Sequence, residues 1–297
     1  FWCPDNAPRP FNIHCEFATR KSSPFRRNSV AHQPIDALVF SDPIPVSSPN
    51  EAAWYHYLDW PDGTVTRGRV DLRDNVDTYL GRVNFTEKTV LEIGPASGFL
   101  TKEMEKRGAS VTCIDLPDEN AWDVVPRTDL DVDTWAAQRK RGTKRLRAGW
   151  WYTQKIFNGD ARVAYCGVQG MDLLHGQAYF DIVLFAAVLQ HMRHPIDALY
   201  SASRLANTII VSELSFDRAE STKNGAFFAP APGNNIIGSW WEISSGLIAQ
   251  VLATAGFVRE SHEISVGRIW NLQSEQETED TFVDRKFFTS VFKKIGA

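Results

Sequence analysis

The chain has 297 residues, a formal net charge of −4, 43% hydrophobic and 23% charged residues, a composition that fits a globular protein built on one large domain and excludes disordered or low-complexity classes. The longest uninterrupted apolar run, Ile182 to Leu189, is eight residues, far short of the roughly 18 to 20 that a membrane-crossing helix needs. The slightly acidic balance argues against a protein that grips nucleic acid by overall charge, and leaves only local basic patches for that role.

Residues 1–50 are rich in Pro, Ser and Asn, carry the basic cluster Arg20, Lys21, Arg26 and Arg27, and lack periodicity, so an irregular arm is expected. The start at Phe1 has no signal-peptide pattern, and the expectation is that further residues precede it. Residues 51–88 read as an N-terminal cap: aromatic and polar residues alternate from 54 to 80 around the turn Pro61-Asp62-Gly63, which predicts a hairpin or strand pair. From Thr89 to residue 297 apolar runs alternate with helix-length segments, the pattern of a doubly wound, Rossmann-like α/β domain with a mostly parallel sheet and helices on both faces. Strands are predicted at Val90 to Ile93, Ser110 to Ile114, Arg162 to Tyr165, Asp181 to Phe185 and Thr208 to Ser212, then at Phe257 to Ile264 and Phe282 to Phe292. Helices are predicted at Phe99 to Arg107, Pro195 to Ala206 and Ser244 to Ala255, the last stopped by Gly256. Acidic Glu275, Glu277, Glu279 and Asp280 separate the last two strands.

Four cysteines, Cys3, Cys15, Cys113 and Cys166, lack the close paired spacing of zinc or redox sites. They read as reduced thiols, with no metal site and a cytoplasmic location expected.

The chemistry concentrates in Val90-Leu91-Glu92-Ile93-Gly94-Pro95-Ala96-Ser97-Gly98-Phe99-Leu100: an apolar strand, an acid, a glycine-bearing turn and a helix start. Gly94 and Gly98 permit backbone angles and close approach that a side chain would block, and the helix beginning near Phe99 offers unpaired amides to a polar ligand. Asp115, twenty-one residues beyond Gly94, ends the second strand, where a carboxylate can accept hydrogen bonds from both ribose hydroxyls. Dinucleotide sites use Gly-x-Gly-x-x-Gly, whereas here Ala96 takes the second small position and Glu92 precedes Gly94. An acid there suits a cationic ligand such as the ammonium of a methionine moiety, met directly or through water.

These residues resemble the first motif of the class I methyltransferases that use S-adenosylmethionine. The resemblance runs from about Trp54 to Phe257: Asp115-Leu116 stands as the second element, Gly170-Met171-Asp172 as the third, and Phe180-Asp181-Ile182-Val183-Leu184-Phe185 leading to Val188-Leu189-Gln190-His191 as the fourth. Ala96, where many members have glycine, departs from the pattern but stays small. A narrower resemblance lies in Trp54-Tyr55-His56, Pro61-Asp62-Gly63-Thr64, Asp71-Leu72-Arg73, His191-Met192-Arg193-His194-Pro195 and Ser239-Trp240-Trp241, which together look like the tRNA (mo5U34) methyltransferase-like family. Members that use a carboxylated cofactor have Tyr where Gln190 stands, so ordinary S-adenosylmethionine is the cofactor implied. The resemblance places Glu92, Gly94, Ser97 and Gly98 on the methionine side, Asp115 and Leu116 at the ribose, and Met171 and Asp172 at the adenine. The plainer reading makes Asp172 a turn cap and Leu116 and Met171 core contacts.

Methyl transfer is an in-line displacement, so the protein chiefly positions the acceptor and removes a proton where the acceptor is a hydroxyl or ring nitrogen. His191, just past the fourth strand, is either that base or a residue that shapes the loop. His56 either closes over the cofactor from the cap or anchors the cap. Trp54, Tyr55, Glu213, Trp240 and Trp241 are candidates for the acceptor wall, with packing as the alternative for the tryptophans.

The insertion between Asp115 and Asp160 has an acidic half (Asp118, Glu119, Asp123, Asp129, Asp131, Asp133). A basic half follows (Arg139, Lys140, Arg141, Lys144, Arg145, Arg147, Lys155), interleaved with Trp150, Trp151 and Tyr152. The basic half is either an RNA-contacting surface or a solvated helix face, and the latter is favoured. The expected function is methyl transfer to oxygen or nitrogen of a small-molecule or glycan acceptor, with no membrane partner. The alternatives are tRNA wobble-uridine modification, or a non-catalytic binding protein on the same nucleotide fold.

Overall fold

A computed structural model of the chain describes residues 38–117, 123–270 and 282–296 apart from positions 232, 235 and 237. Cys3, Cys15, the basic cluster at residues 20–27, Asp118, Glu119 and the acidic residues 275–280 lie outside this set. The expected hairpin is present: β1 (Leu58–Asp59) pairs antiparallel with β2 (Val65–Thr66) around the Pro61–Gly63 turn. Asp62 closes that turn by accepting from the Thr64 amide at 2.9 Å and the Thr64 hydroxyl at 2.7 Å. β3 (Val70–Asp71) and α1 (Val76–Tyr79) follow.

Five apolar runs then form parallel strands, each close to its predicted position: β4 (Thr89–Ile93), β5 (Ser110–Asp115), β6 (Arg162–Tyr165), β7 (Phe180–Ala186) and β8 (Ala206–Leu214). The connections carry α2 (Phe99–Lys106), α3 (Val132–Phe157), α4 (Gly170–Leu173) and α5 (Pro195–Ser203). Beyond β8 lie α6 (Asp217–Ser221), the antiparallel pair β9 (Ala226–Phe228) and β10 (Trp241–Ile243), and α7 (Ser245–Thr254). The last two strands, β11 (Phe257–Trp270) and β12 (Phe282–Lys294), pair along their whole length. The main sheet has eight strands in the order β3-β11-β12-β8-β7-β4-β5-β6, with β12, β11 and β3 antiparallel at one side.

Residues of opposite parity along each strand feed two cores. Leu91, Ile93, Val183 and Phe185 pack with α4, α5 and α7, while Val90, Ile182 and Leu184 pack with α1, α2 and Trp150 of α3. This is the doubly wound arrangement expected. The arm's end also has a place: the Ser41 amide donates to Val163 at 2.9 Å, and Arg162 lies 3.6 Å over the Phe40 ring, covering the β6 edge.

Three features differ from the sequence reading. The basic half of the charged insertion is helical, as the favoured reading had it, but the helix, α3, is longer, 26 residues with a buried side, capped by Asp131, which accepts from the Thr134 amide at 3.0 Å, and stopped by Asn158 at φ +52°. β11 runs six residues beyond Ile264 because it pairs with β12 on one side and with β3 on the other. The β9–β10 pair was not foreseen, its apolar pattern being only three residues per strand.

Trp150 anchors α3 in the core that holds Val90 and Ile182. It is 1% exposed and its indole donates to the Thr101 hydroxyl at 3.2 Å. Trp150→Ala is expected to cost about 3–5 kcal/mol of unfolding free energy, read as a lowered urea midpoint, whereas Trp151→Ala, on the half-buried side, is expected to cost less.

Candidate active site

The chain leaves β4 for β5 in one direction and returns beside β4 as β7, so a crevice opens at the carboxyl ends of these strands. Gly94 begins the turn there. Its amide donates to Ile114 at 2.8 Å, tying the turn to the end of β5, and its φ of +73° with a would-be Cβ only 3.2 Å from Val188 demands glycine. Ala96 takes φ +50° and Ala187, at the end of β7, takes φ +52°, so two non-glycine residues adopt the left-handed region on either side of the crevice. Asp115 stands at the end of β5, its Oδ1 accepting from the Leu116 amide at 2.8 Å.

Glu92 is placed differently from expectation. It shares parity with Val90 and so points beneath α2, where it is 1% exposed and accepts from the Thr101 hydroxyl at 2.6 Å and the Cys113 thiol at 3.5 Å. Burial pushes its carboxyl up to about 7, against the lowering effect of those two bonds. Both bonds fall on Oε2, which ties β4 to α2 and β5.

Ser97 is likewise committed to the protein. Its hydroxyl accepts from the Tyr55 amide at 3.1 Å, and its carbonyl accepts from the Thr153 hydroxyl of α3 at 2.9 Å. Gly149 lets α3 approach this point: a Cβ there would sit 2.7 Å from the Ala53 carbonyl. Cap and helix thus meet over the glycine turn.

Five side chains from distant parts of the chain are electrostatically coupled, Tyr55 to Arg69, Arg139 and Glu213, and His191 to Arg139. Tyr55 and Arg69 come from the cap, Arg139 from α3, His191 from the helical turn after β7 and Glu213 from β8. The Tyr55 carbonyl accepts from the Arg69 amide at 2.8 Å, and the tyrosine hydroxyl is raised by burial while feeling the charges of Arg69, Glu213 and Arg139. Arg139 stacks 4.8 Å from the Trp135 ring and is held down by burial and by Arg69. His191 is lowered to about 4 by burial, with Arg139 adding to the effect. Its Nδ1 lies 2.5 Å from the Gly238 carbonyl, which can only accept, so Nδ1 carries the hydrogen and Nε2 holds the lone pair. Glu213 Oε1 accepts from the Val188 and Leu189 amides at 2.8 and 2.6 Å, and burial raises its carboxyl to about 8. Arg69 was missed in the sequence, yet the hairpin register carried it: Leu58 faces Thr66 and Asp59 faces Val65, and the same register extended backward sets Tyr55 opposite Arg69.

The other predicted residues disperse. His56 is buried against Phe99, with ring centroids 5.4 Å apart, is lowered to about 3 by burial, and its Nδ1 has no hydrogen-bond partner among the described residues. Trp54 packs edge-on against Trp60 and Tyr152 of the cap–α3 contact. Leu116 offers its carbonyl to Arg147, whose guanidinium also lies 3.8 Å over Tyr165. Met171 is fully buried in the core, and Asp172 accepts from Ser201 of α5 at 2.7 Å, with Arg204 at 3.6 Å. Trp240 donates to the Asp123 carbonyl at 2.5 Å behind His191. Trp241 lines a separate apolar cavity of about 330 Å³ with Leu189, Pro195 and Ile248. A second cavity, of about 690 Å³, opens at the opposite sheet edge among Lys102, Glu103 and Phe157. Among the described residues there is no cluster of metal-ligating side chains, and no helix is long and apolar enough to cross a membrane.

A doubly wound sheet with a glycine turn at its switch point and a carboxylate on the adjoining strand defines a nucleotide-cofactor enzyme of the Rossmann-like class. The methyltransferase-domain family model matches residues 66–262, and the chain belongs to that family. Its activity class is S-adenosylmethionine-dependent methyl transfer. No curated protein matches the chain. Among solved structures it is similar to the N-terminal domain of EvdMO1 with SAH bound, at 15% identity over 82% of this chain and 93% of that one, TM-score 0.50. It is also similar to a 1,6-didemethyltoxoflavin-N1-methyltransferase from Burkholderia thailandensis, at 17% identity over 74% and 75%, TM-score 0.43. A third is an SAM-dependent methyltransferase from Methanosarcina mazei, at 14% identity over 70% and 92%, TM-score 0.44.

The raised Glu213 carboxyl has a pH consequence. Its folded-state value of about 8 lies above the ordinary 4.5, so folding favours the protonated form and stability is lost as pH rises from about 4.5 to about 8. Glu213→Gln keeps an amide oxygen for the two backbone donors and removes the titration. Urea midpoints of the variant relative to wild type are expected to rise across that window and to level off above it.

Proposed function

We propose that the chain methylates oxygen or nitrogen of a small-molecule or glycan acceptor held between Tyr55, His191 and Glu213, with S-adenosylmethionine in the crevice below. The observation that carries this reading is the convergence of cap, α3 and the β7 and β8 ends on one roofed site beside the glycine turn. The residues present fit the cofactor: the left-handed backbone from Gly94 to Gly98 leaves room for close approach, and Asp115 lies at the strand end beside it. Asp115 would hold the ribose and the Gly94–Gly98 backbone the methionine end. Bound there, S-adenosylmethionine supplies an electrophilic methyl group on a sulfonium.

The chain's own residues do the rest. His191 stays neutral above about pH 4, and as a neutral imidazole it would orient the acceptor and take up its proton as the methyl group transfers. The Gly238 carbonyl holds the imidazole in the tautomer with the hydrogen on Nδ1. The Tyr55 backbone and α3, both bound to Ser97, hold the cap and the helix over the glycine turn.

A tRNA acceptor, as in the narrower family that the cap motifs resemble, is the weaker reading. Three cations of the basic run bond to the protein itself: Arg145, exposed, donates to the Ala52 carbonyl at 2.7 Å, Lys155, also exposed, to Val46 at 3.2 Å, and Arg147 is buried against Leu116. Fewer remain for a phosphate backbone.

Two variants test the assignments by titration calorimetry with S-adenosylhomocysteine and by methyl transfer in an acceptor screen. Asp115→Ala is expected to weaken binding about 10- to 100-fold, the worth of charge-assisted hydrogen bonds to the ribose. His191→Asn is expected to leave binding unchanged and to lower turnover by about 100-fold or more. Wild-type protein that binds the cofactor but transfers no methyl group to any acceptor would move the reading to a binding protein.

A further inference from the structure

Core side chains interdigitate and leave few spaces larger than a water molecule. The cavity of about 330 Å³ beside α5 departs from that rule. Its floor is made by Leu189, Leu199, Ile243, Ile248 and Val251, all members of the core on the α5 and α7 side of the sheet and none more than 9% exposed. Its mouth is made by Arg193, His194 and Asp197, which are exposed around the start of α5, so the space runs from the surface into the core. The wall is pinned: the Trp241 indole donates to the Arg193 carbonyl at 3.3 Å, and its ring meets Phe228 edge-on at 5.8 Å. The charges at the mouth are sorted as well. Arg193 pairs with Asp123 at 3.0 Å and lies 4.8 Å from the Trp240 ring, whereas the Asp197 carboxylate has no hydrogen-bond or ion-pair partner among the described residues. An apolar interior with a single available acceptor at its rim is the pattern of a small-molecule site.

We propose that this cavity is a second binding site, for a neutral aromatic molecule whose hydroxyl or ring N–H at one end donates to Asp197. Apolar cavities about half this size take benzene, so a body of about two fused rings fills this one. The site is distinct from the crevice, since Gly94, Asp115, Tyr55 and Glu213 line none of it, and the inference holds whatever the acceptor of methyl transfer is. The two places share a wall. Leu189 opens the helical turn that ends at His191, and Trp241 follows Trp240, whose amide donates to the Gln190 carbonyl at 2.8 Å. An occupant packed on Leu189 and Trp241 therefore bears on the two segments that carry His191 and the Gly238 carbonyl holding it.

The test is calorimetry on the full chain with 2-naphthol, with 2-methoxynaphthalene, which lacks the donor, and with naphthalene-2-carboxylate, each with and without saturating S-adenosylhomocysteine. One-to-one binding of 2-naphthol is expected in both conditions, with the carboxylate weaker because Asp197 repels it. Ala226→Trp, from an exposed position on β9, and Leu247→Trp, from α7, each fill the cavity and are expected to weaken binding by about tenfold or more, while their thermal midpoints report folding. Asp197→Ala is expected to weaken 2-naphthol by about tenfold, the worth of a hydrogen bond to a charged group, and to leave 2-methoxynaphthalene unchanged. By NMR, 2-naphthol is expected to show NOEs to the methyls of Ile248 and Val251 and to shift the His191 ring signals. No binding by wild type, binding that both tryptophan variants retain, or binding that S-adenosylhomocysteine abolishes overturns the inference. Equal weakening of both neutral naphthalenes in Asp197→Ala overturns the role of Asp197, and unshifted His191 signals at saturation overturn the link to the crevice.

Discussion

The two hydrogen bonds at Ser97 set the geometry of the whole catalytic edge. One residue of the glycine turn accepts from the Tyr55 amide through its hydroxyl and from the Thr153 hydroxyl through its carbonyl, so the cap and α3 are positioned by the same few atoms that shape the crevice. Fully buried polar groups are costly unless paired, and here the pairing falls on two elements that are otherwise remote in the chain. Gly98 and Gly149 make the approach of α3 feasible, since a Cβ at Gly98 would sit 3.2 Å from Trp150 and one at Gly149 would press on the Ala53 carbonyl. The roof of the site is thus a consequence of the turn beneath it.

Two buried carboxyls work by a common logic at the ends of two strands. Glu92 lies under the β4 turn and Glu213 under the β7 turn, each accepting hydrogen bonds and each raised by burial toward or above neutrality. A carboxylate in a dry site is costly, yet one that accepts backbone or hydroxyl bonds fixes a loop more stringently than an apolar side chain of the same size. Glu213 holds the Val188 and Leu189 amides that directly follow Ala187, which helps keep Ala187 in its left-handed conformation.

The parallel strands were legible because apolar runs bounded by breaks report burial on two faces directly: β6 was read at both its ends, and β4, β5, β7 and β8 to within two residues at each end. The basic half of α3 was read as a helix face, but the helix's length and its buried side were not legible, because its buried residues, among them Arg147, Gly149, Thr153 and Gln154, are mostly polar or small, which masks the periodicity. Glu92 was read as a ligand because its true partners, Thr101 and Cys113, are brought to it only by the packing of α2 and the pairing of β5. Tyr55, His191 and Glu213 were all named, but their association with Arg69 and Arg139 required the cap to fold back and α3 to cross the strand ends.

The strand order has a bearing on how the protein is made. β12 occupies the position between β8 and β11, pairing with β8 from Thr208 to Leu214, so the flank of β8 has no partner strand on that side until residues 282–294 have been synthesised. At roughly 5 to 20 residues per second, the ~70 residues that separate the two strands take several seconds to emerge. During that interval an apolar strand of nine residues, with Ile209, Ile210 and Val211 at its centre, presents open backbone donors and acceptors to any neighbouring nascent chain. The slower the synthesis of the intervening segment, the longer that flank stays open, which follows from the order of strands.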